Sequence, residues 1–456
     1  MSGMIDAFVR HGLETRFSDL SPAAVRAVKT YLLDTIGVGI AGAGAPLTET
    51  VRRSTASWAG DGKAQVWGVG SFATTPANAA FINGFQIHCQ EYDCVHEPAV
   101  VHPLATILSA LMAECDAQGD VPGESLAVAM AVAVDLAAGI GVSVTSPIKF
   151  FRPANAGIFG ATLGIARLRG LSEEQTKDAL GYALAFNSGT MQAHVEGKPA
   201  LPIQIGNAAR GAVMACDLAA HGMPGPHDSL EGPFGYFALF EDAADPKEVI
   251  ASLGQTWRIA QVSHKPFPTG RAAQGGIVLM QKLRHQGVRA EEVERLTLTA
   301  PPLIHRLVGR PITSDMAVNY ARLCFQYSGA VALMSGQVGL DDFSVEKRRD
   351  PAIFALGQKI EVIDDGSPDP AAFTPQIAVA HLKDGRTVEA RIETLYGAPA
   401  DPMSEQAHLE KFHRCVAFGF GEDRPDLAGR LIDLTNNLET VADVSVLSRL
   451  AAGLES

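Results

Sequence analysis

The sequence predicts a mainly α-helical protein in which a large all-helical domain, built from both chain ends, is interrupted by a smaller α+β unit. Helical signals follow one another through the first 260 residues, strand-like alternation enters near residue 262, and helical periodicity returns after Ser404. The length of 456 residues also exceeds the size of about 300 residues at which single cores usually stop growing. We therefore place the helical domain at residues 1–261 and 406–456 and the α+β unit at residues 262–405.

The helical region contains several marked helix starts. Ser21 followed by Pro22 is typical of a cap with a first-turn proline, and apolar residues recur at helical spacing over residues 25–36. Ser172 with Gln175 forms the pattern of a capping box. Further helices are predicted from residue 76, over 103–114, over 124–140, from residue 404 and over 444–450.

The α+β unit is recognised by period-two alternation. Strands are predicted over residues 258–263 and 294–300, and a hairpin over 377–381 and 387–392 around Asp384-Gly385. Helical patterns lie between them at residues 274–286 and 316–334, and a surface loop is predicted over residues 364–370.

The overall charge excludes some classes of partner. The net charge is -13, and no basic stripe appears, so neither nucleic acid nor an anionic membrane is expected to bind. The most apolar stretch, residues 125–144, contains Asp135 and is interpreted as a buried helix. The N-terminus has no secretory pattern and the six cysteines are scattered without a C-x-x-C pair, which predicts a cytoplasmic protein with reduced thiols.

The densest group of titratable residues lies between two apolar helices, at His88, Glu91, Asp93, His96 and His102. Carboxylates beside imidazoles can shift pKa values apart and so supply an acid and a base. The alternative is a polar loop whose histidines cap helix ends. A metal site is a further alternative, but the spacing fits no common zinc pattern, and we predict none.

Cations precede helix starts elsewhere in the chain. Arg152 stands before Pro153, Lys198 before Pro199, and Lys265 and Arg271 flank a proline-rich turn followed by Gln274. Such residues could hold a carboxylate at a helix N-terminus, or pair with a local acid. Tyr327 lies on a later helical segment, where a tyrosine most often packs.

Together these segments resemble the MmgE/PrpD family. The resemblance is carried by residues 31–37, Ala80-Phe-Ile-Asn-Gly84, His102-Pro103, Gly157-Ile-Phe-Gly160, Gly206-Asn-Ala-Ala209, Lys265-Pro-Phe-Pro268 and residues 321–327. It implies a helical domain from both chain ends, an inserted α+β lid, a homodimer, an active site between the two domains, and no metal or organic cofactor.

The resemblance also implies roles for individual residues. His102 would be the base or acid, Glu91 and Asp93 would orient it or share the proton, and Tyr327 would donate to the leaving hydroxyl or the developing enediolate. Substrate-binding residues would be Arg152, Lys198, Lys265, Arg271, Gln274 and His96. Arg152 and Gln274 stand where the family has histidines, and Cys94 and Val95 stand where it has a third acid and a threonine.

These residues favour a lyase that dehydrates or hydrates a small hydroxy-polycarboxylate by removing a proton α to a carboxylate. An epimerase or isomerase that begins with the same proton abstraction, and a decarboxylase, are the alternatives. A non-catalytic carboxylate-binding protein is a further alternative, because the replaced histidines remove candidate proton donors.

Overall fold

The computed structural model describes residues 3–369 and 371–454. The first part of the chain is a body of packed α-helices with a two-stranded hairpin, Ala64–Gln65 and Ala73–Thr74. Its helices are Met4–Glu14, Pro22–Ala43, Thr48–Thr55, Pro76–His88, Pro103–Gln118, Gly123–Val142, Arg152–Leu168, Glu173–Ala185, Gln192–Glu196, Ala200–Ala220, Tyr236–Phe240 and Lys247–Ala251. The Ser21 cap and the Ser172–Gln175 capping box are formed as predicted.

The second part contains a four-stranded sheet with helices around it. The sheet order is Ile360–Asp364, Val293–Ala300, Gln376–Leu382 and Thr387–Ile392, with the first pair parallel and the others antiparallel. The helices are Arg271–His285, Pro302–Val308, Val318–Arg322, Phe325–Ser335, Val345–Arg348 and Pro351–Gly357. The predicted strand at 294–300 and the predicted hairpin are therefore confirmed.

The two large hydrophobic cores follow this division. The second core draws only on residues 267–398. The first core joins residues of the N-terminal 262 positions, and Leu323 of the second part, to residues 412–451. The C-terminal helices of the chain are Glu405–Phe420, Pro425–Asn436 and Ser445–Ala451. Both chain ends thus bury their apolar faces in one helical body, which confirms the predicted fold class. The boundaries at residues 261 and 405 stay predictions.

The predicted strand at residues 258–263 is wrong. Residues Arg258–Gln261 form a 3₁₀ turn, and the Arg258 backbone N–H donates to Asp135 Oδ1 at 2.7 Å. The apolar residues Ile259 and Val262 are three positions apart, which fits such a turn, and both are buried in the helical core.

The helix predicted over residues 316–334 is broken in two. The carbonyl of Arg322 accepts a hydrogen bond from the Gly270 N–H at 3.1 Å, so it is engaged outside the helix at the break. The strand Ile360–Asp364 was not predicted, although Ile360 and Val362 alternate with exposed residues. The predicted loop over 364–370 is mostly exposed, and its last residue lies outside the described residues.

The most apolar helix is internal. Among the described residues one helix, Gly123–Val142, is long and apolar enough to cross a membrane, and 89% of its most apolar window is buried inside the protein. This is typical of a core helix, as the sequence predicted. The six cysteines are all free and buried.

Candidate active site

The loop between two buried helices positions the predicted acid–imidazole cluster. His88 is the last residue of one helix, and His102 immediately precedes the next. The loop is fixed at its middle, where Val95 and Ser263 exchange backbone hydrogen bonds of 3.0 and 2.7 Å. Both imidazoles are therefore held at opposite ends of one anchored connection.

Two residues of this segment have strained backbones. Glu91 has a φ of 50° and Val100, a β-branched residue, has a φ of 52°. Positive φ is costly for side chains other than glycine, and such residues concentrate at functional sites. Both residues line the cavity described below.

Asp93 is the centre of the cluster. Its fully buried carboxylate lies 3.0 Å from Nδ1 of His88 and 3.1 Å from Nδ1 of His102. The two imidazole rings meet edge to face, with centroids 5.0 Å apart. Because both Nδ1 atoms face Asp93, the Nε2 atoms are left for other partners, as in other carboxylate-oriented histidines.

A buried lysine completes the environment of this carboxylate. Lys265 Nζ lies 3.1 Å from Glu91 Oε2 and 3.8 Å from Asp93 Oδ1, and the lysine is fully buried. Burial raises the pKa of Asp93, but His88, His102 and Lys265 outweigh it and hold that pKa well below its usual value. Burial also raises the pKa of Glu91, but Lys265 and the two imidazoles outweigh burial and lower that pKa to about 2.

The pKa values of the two imidazoles are shifted in opposite directions. Burial lowers the pKa of His88, but the carboxylates of Asp93 and Glu91 outweigh it and the pKa is raised above its usual value. Burial and the Lys265 ammonium lower the pKa of His102. A pair of titratable groups pushed apart in this way can supply a proton donor and a proton acceptor at one pH.

The cluster opens into a cavity of about 80 Å³ between the helical body and the second unit. Its titratable lining consists of His88, Glu91, His102, His194 and Arg271. The remaining lining is largely apolar: Val95, Val100, Ile148, Phe151, Pro153, Met191, Leu201, Gly270, Ala272, Leu307, Val308, Leu323 and Phe373. A small, mostly apolar cavity with a few convergent polar groups is typical of a binding site for a small molecule.

The two predicted arginine clamps are already paired with carboxylates of the protein. Arg152 forms a bidentate ion pair with Glu241, at 3.0 and 3.2 Å, and does not line the cavity. Arg271 does line the cavity, but its Nε lies 2.7 Å from Glu97. The placement of Arg152 thus fits the alternative in which it pairs with an acid of the protein.

Several predicted binding residues lie outside the cavity. Lys198 is exposed, whereas Leu201 of the same segment lines the cavity. Gln274 donates to the carbonyl of Phe267 at 2.7 Å and so fixes the turn after Lys265. His96 is buried, with Nε2 3.3 Å from Gln261 Oε1. Gln274 and His96 are held by contacts within the protein and Lys198 is exposed, so the structure does not support direct contact of these side chains with a substrate in the cavity.

Tyr327 is also not part of the cavity. It is fully buried in the core of the second unit, and its hydroxyl donates to the carbonyl of Asp342. The structure therefore corrects the prediction that Tyr327 is a proton donor of the site. Arg322, on the neighbouring helix, donates to the carbonyls of Gln90 and Pro268 at 2.7 and 2.9 Å and ties the two units together.

The sequence reasoning missed His194 and Arg310. His194 lies on helix Gln192–Glu196 and lines the cavity, and Arg310 Nη2 lies 3.1 Å from its Nδ1. Burial, followed by the Arg310 charge, lowers the pKa of His194 to about 4. No motif surrounds either residue, and only the fold brings them together.

Two groups of described residues bring three potential metal-ligand atoms within 4.8 Å of one another: His88, Asp93 and His102, and Asp34, His264 and His408. Each group already contacts a lysine. Lys265 lies 3.8 Å from Asp93, and Lys411 lies 2.7 Å from Asp34. A metal ion in either group would compete with that ammonium for the carboxylate.

Comparison with known proteins extends over nearly the whole chain. The family models of the MmgE/PrpD N-terminal domain and the MmgE/PrpD C-terminal domain match residues 7–249 and 267–434. Cis-aconitate decarboxylase of Mus musculus is 27% identical over 469 residues, covering 97% of this chain and 92% of that protein. Cis-aconitate decarboxylase of Homo sapiens is 26% identical, with coverage of 97% and 93%. The mitochondrial 2-methylcitrate dehydratase of Yarrowia lipolytica is 27% identical over 184 residues, covering 37% of this chain and 34% of that protein.

Proposed function

Because the chain belongs to the MmgE/PrpD family, we propose that it is a cofactor-independent lyase that acts on a small hydroxy-polycarboxylate. The single observation that carries the proposal is the Asp93 carboxylate bound to two imidazoles, His88 and His102, whose pKa values are shifted in opposite directions. Elimination of water needs both a base and an acid, and this pair offers both beside one cavity.

In the proposed reaction His102 is the base. Its Nδ1 proton is directed to Asp93, so Nε2 carries the lone pair that accepts the proton from the carbon α to a substrate carboxylate. The C–H electrons form the C=C bond as the C–O bond breaks. His88, with Glu91 beside its Nε2 at 3.5 Å, supplies the proton with which the hydroxyl leaves as water. Hydration is the same sequence reversed.

The test is turnover by the purified, chelator-treated protein on a panel of citrate, isocitrate and 2-methylcitrate, followed by absorbance of the new C=C bond. We expect turnover in the wild type and a loss on the order of 10²–10⁴-fold in His102→Gln, which removes the base. His285→Gln, at an exposed histidine of the second unit, is the matched control and should retain full activity. A folded protein that neither forms C=C bonds nor exchanges the α-proton with D₂O contradicts the proposal.

Decarboxylation is the second candidate. It is favoured by the similarity to cis-aconitate decarboxylases, which extends over 97% of the chain, whereas the dehydratase matches 37%. In that reaction the C–C bond to a carboxylate breaks and His88 protonates the carbon, so CO₂ is released and no base is required. Release of CO₂ from cis-aconitate without loss of water would assign this reaction. Exchange of the α-proton without either product would instead indicate an epimerase.

A further inference from the structure

A second cluster of imidazoles and a carboxylate lies where the two units join, and its residues do not line the cavity. It consists of Asp34, His264 and His408, each at least nine-tenths buried. Asp34 and His408 belong to helices from the two ends of the chain, and His264 immediately precedes Lys265 in the segment that enters the second unit. One potential ligand atom of each residue lies within 4.8 Å of those of the other two. The three side chains therefore converge on one point.

Several polar atoms of this cluster lack partners. Asp34 Oδ2, His264 Nε2 and both ring nitrogens of His408 are buried and make no hydrogen bond within the described residues. Leaving polar atoms unpaired in a protein interior is costly. Four such atoms on three neighbouring side chains indicate a shared partner between them, either a metal ion or a water molecule.

The ammonium of Lys411 leaves one carboxylate oxygen of Asp34 free. Its Nζ lies 2.7 Å from Asp34 Oδ1, and it also donates to the carbonyl of Tyr92 at 3.0 Å and lies 4.1 Å from the centre of the Tyr92 ring. A carboxylate has acceptor sites on both oxygens, so one oxygen can bind an ion while the other accepts from the ammonium. The like charges repel each other, and Lys411 would therefore weaken the binding of a cation without blocking its ligands.

We propose that Asp34, His264 and His408 bind one divalent transition-metal ion, such as Zn²⁺, through two imidazole nitrogens and one carboxylate oxygen. Imidazole ligands favour such ions, whereas Mg²⁺ and Ca²⁺ prefer oxygen ligands. Ligand atoms on a tetrahedral zinc ion are about 3.3 Å apart, since each bond is about 2.0–2.1 Å long, so side-chain movements of about 1 Å would close the set.

The site would be structural, because the proposed lyase reaction needs no metal. The main chain of His264 is bound on both sides by the second unit, since its N–H donates to the carbonyl of Gly397 at 2.8 Å and its carbonyl accepts from Arg271 at 3.0 Å. An ion on the His264 side chain would therefore fasten this segment of the second unit to both ends of the chain.

The first experiment measures Zn²⁺ binding by calorimetry to protein from which metals have been stripped. We expect one ion per chain, and a Kd at least about tenfold higher in His408→Gln, which removes one ligand. His413→Gln, at an exposed histidine of the same helix, is the control and should keep the wild-type Kd. Lys411→Met should lower the Kd at least about tenfold, because the repelling ammonium is gone.

The same titration separates this site from the other convergent group, His88, Asp93 and His102. His102→Gln should lose turnover and keep the wild-type Kd for Zn²⁺, so this inference and the proposed function fail separately. An effect on the Kd that is larger in His102→Gln than in His408→Gln would place the ion in the candidate active site and overturn the inference.

A second readout needs no variant. In crystals of the wild type grown with Zn²⁺, the anomalous difference peak at the zinc absorption edge should lie between Asp34, His264 and His408. The absence of a peak at this point, or a Kd within twofold of wild type in a folded His408→Gln, overturns the inference and leaves a water molecule as the partner of these atoms.

Discussion

At the residue scale, Asp93 sets the properties of both imidazoles. Burial lowers the pKa of both, and the Asp93 carboxylate raises both. At His88 Glu91 adds to Asp93 and the two outweigh burial and the weaker effect of Lys265, whereas at His102 burial and Lys265 prevail. One carboxylate thus orients two bases, and its neighbours decide which of them holds the proton. His88 titrates above its usual value of 6.5 and His102 below it.

This arrangement predicts the pH dependence of kcat/KM. On the acidic side kcat/KM is limited by His102, which must be neutral, and the midpoint of this limb should lie below pH 6.5. On the basic side it is limited by His88, which must be protonated, and the midpoint of that limb should lie above pH 6.5. In Asp93→Asn both limbs should move to lower pH, because the carboxylate that raises both pKa values is gone. An acidic limb above pH 7 in the wild type would show that His102 is not the base.

The proximity of some site residues could be predicted from the sequence, whereas the pairing of others could not. His88, Glu91, Asp93 and His102 lie within 15 positions, so their proximity was expected from the chain alone. Pairings between residues far apart in the chain could not be predicted. Arg152 contacts Glu241, which is 89 positions away in the sequence, and Arg310 contacts His194, which is 116 positions away. A charge pattern gives no information on which distant acid neutralises which cation.

At the element scale, a buried ion pair joins the two chain ends. Lys411, on helix Glu405–Phe420, lies 2.7 Å from Asp34 on helix Pro22–Ala43, and both side chains are buried. Lys411 also donates to the carbonyl of Tyr92, one residue before Asp93, at 3.0 Å. Asp34 is otherwise surrounded by His264 and His408, whose pKa values are lowered by burial.

We therefore predict that Lys411→Met lowers the free energy of unfolding by about 3–5 kcal/mol, because it leaves the Asp34 carboxylate buried without a counter-ion. Urea denaturation measures this change. The double variant Asp34→Asn/Lys411→Met should recover part of the loss, since both charges are removed together. Lys347→Met, at an exposed lysine, is the control, and an equal loss in the single and double variants would contradict the argument.

Elements whose signals are local were predicted, and those decided by tertiary contacts were not. The Ser21-Pro22 start and the Asp384-Gly385 hairpin depend on neighbouring residues, and both are present. The helix break after Arg322 depends on a hydrogen bond from Gly270, more than 50 positions earlier. Similarly, the 3₁₀ turn at Arg258–Gln261 is stabilised by Asp135, a residue of a different helix.

At the scale of the whole molecule, the candidate site depends on both units. The helical body supplies His88, His102 and His194, while Arg271 and Leu307 come from the second unit. Arg322 fixes their separation on one side through its bonds to Gln90 and Pro268. A change in the angle between the units would alter the cavity without disrupting either core.

We propose that the protein is a homodimer, as the family resemblance implies, and that part of its contact surface surrounds Trp58. This side chain is 50% exposed, Arg210 lies over its ring at 5.0 Å, and Met214, one helical turn from Arg210, is 38% exposed. Tryptophan, methionine and arginine are enriched at interfaces, and burying such a patch removes apolar area from water.

Sedimentation should give about twice the chain mass of 48.1 kDa for the wild type. Trp58→Glu should shift the equilibrium towards the monomer, because it places a charge in the contact, while Val345→Glu, at an exposed site of the second unit, should not. A monomeric wild type would contradict the dimer, and a dimeric Trp58→Glu would place the interface elsewhere.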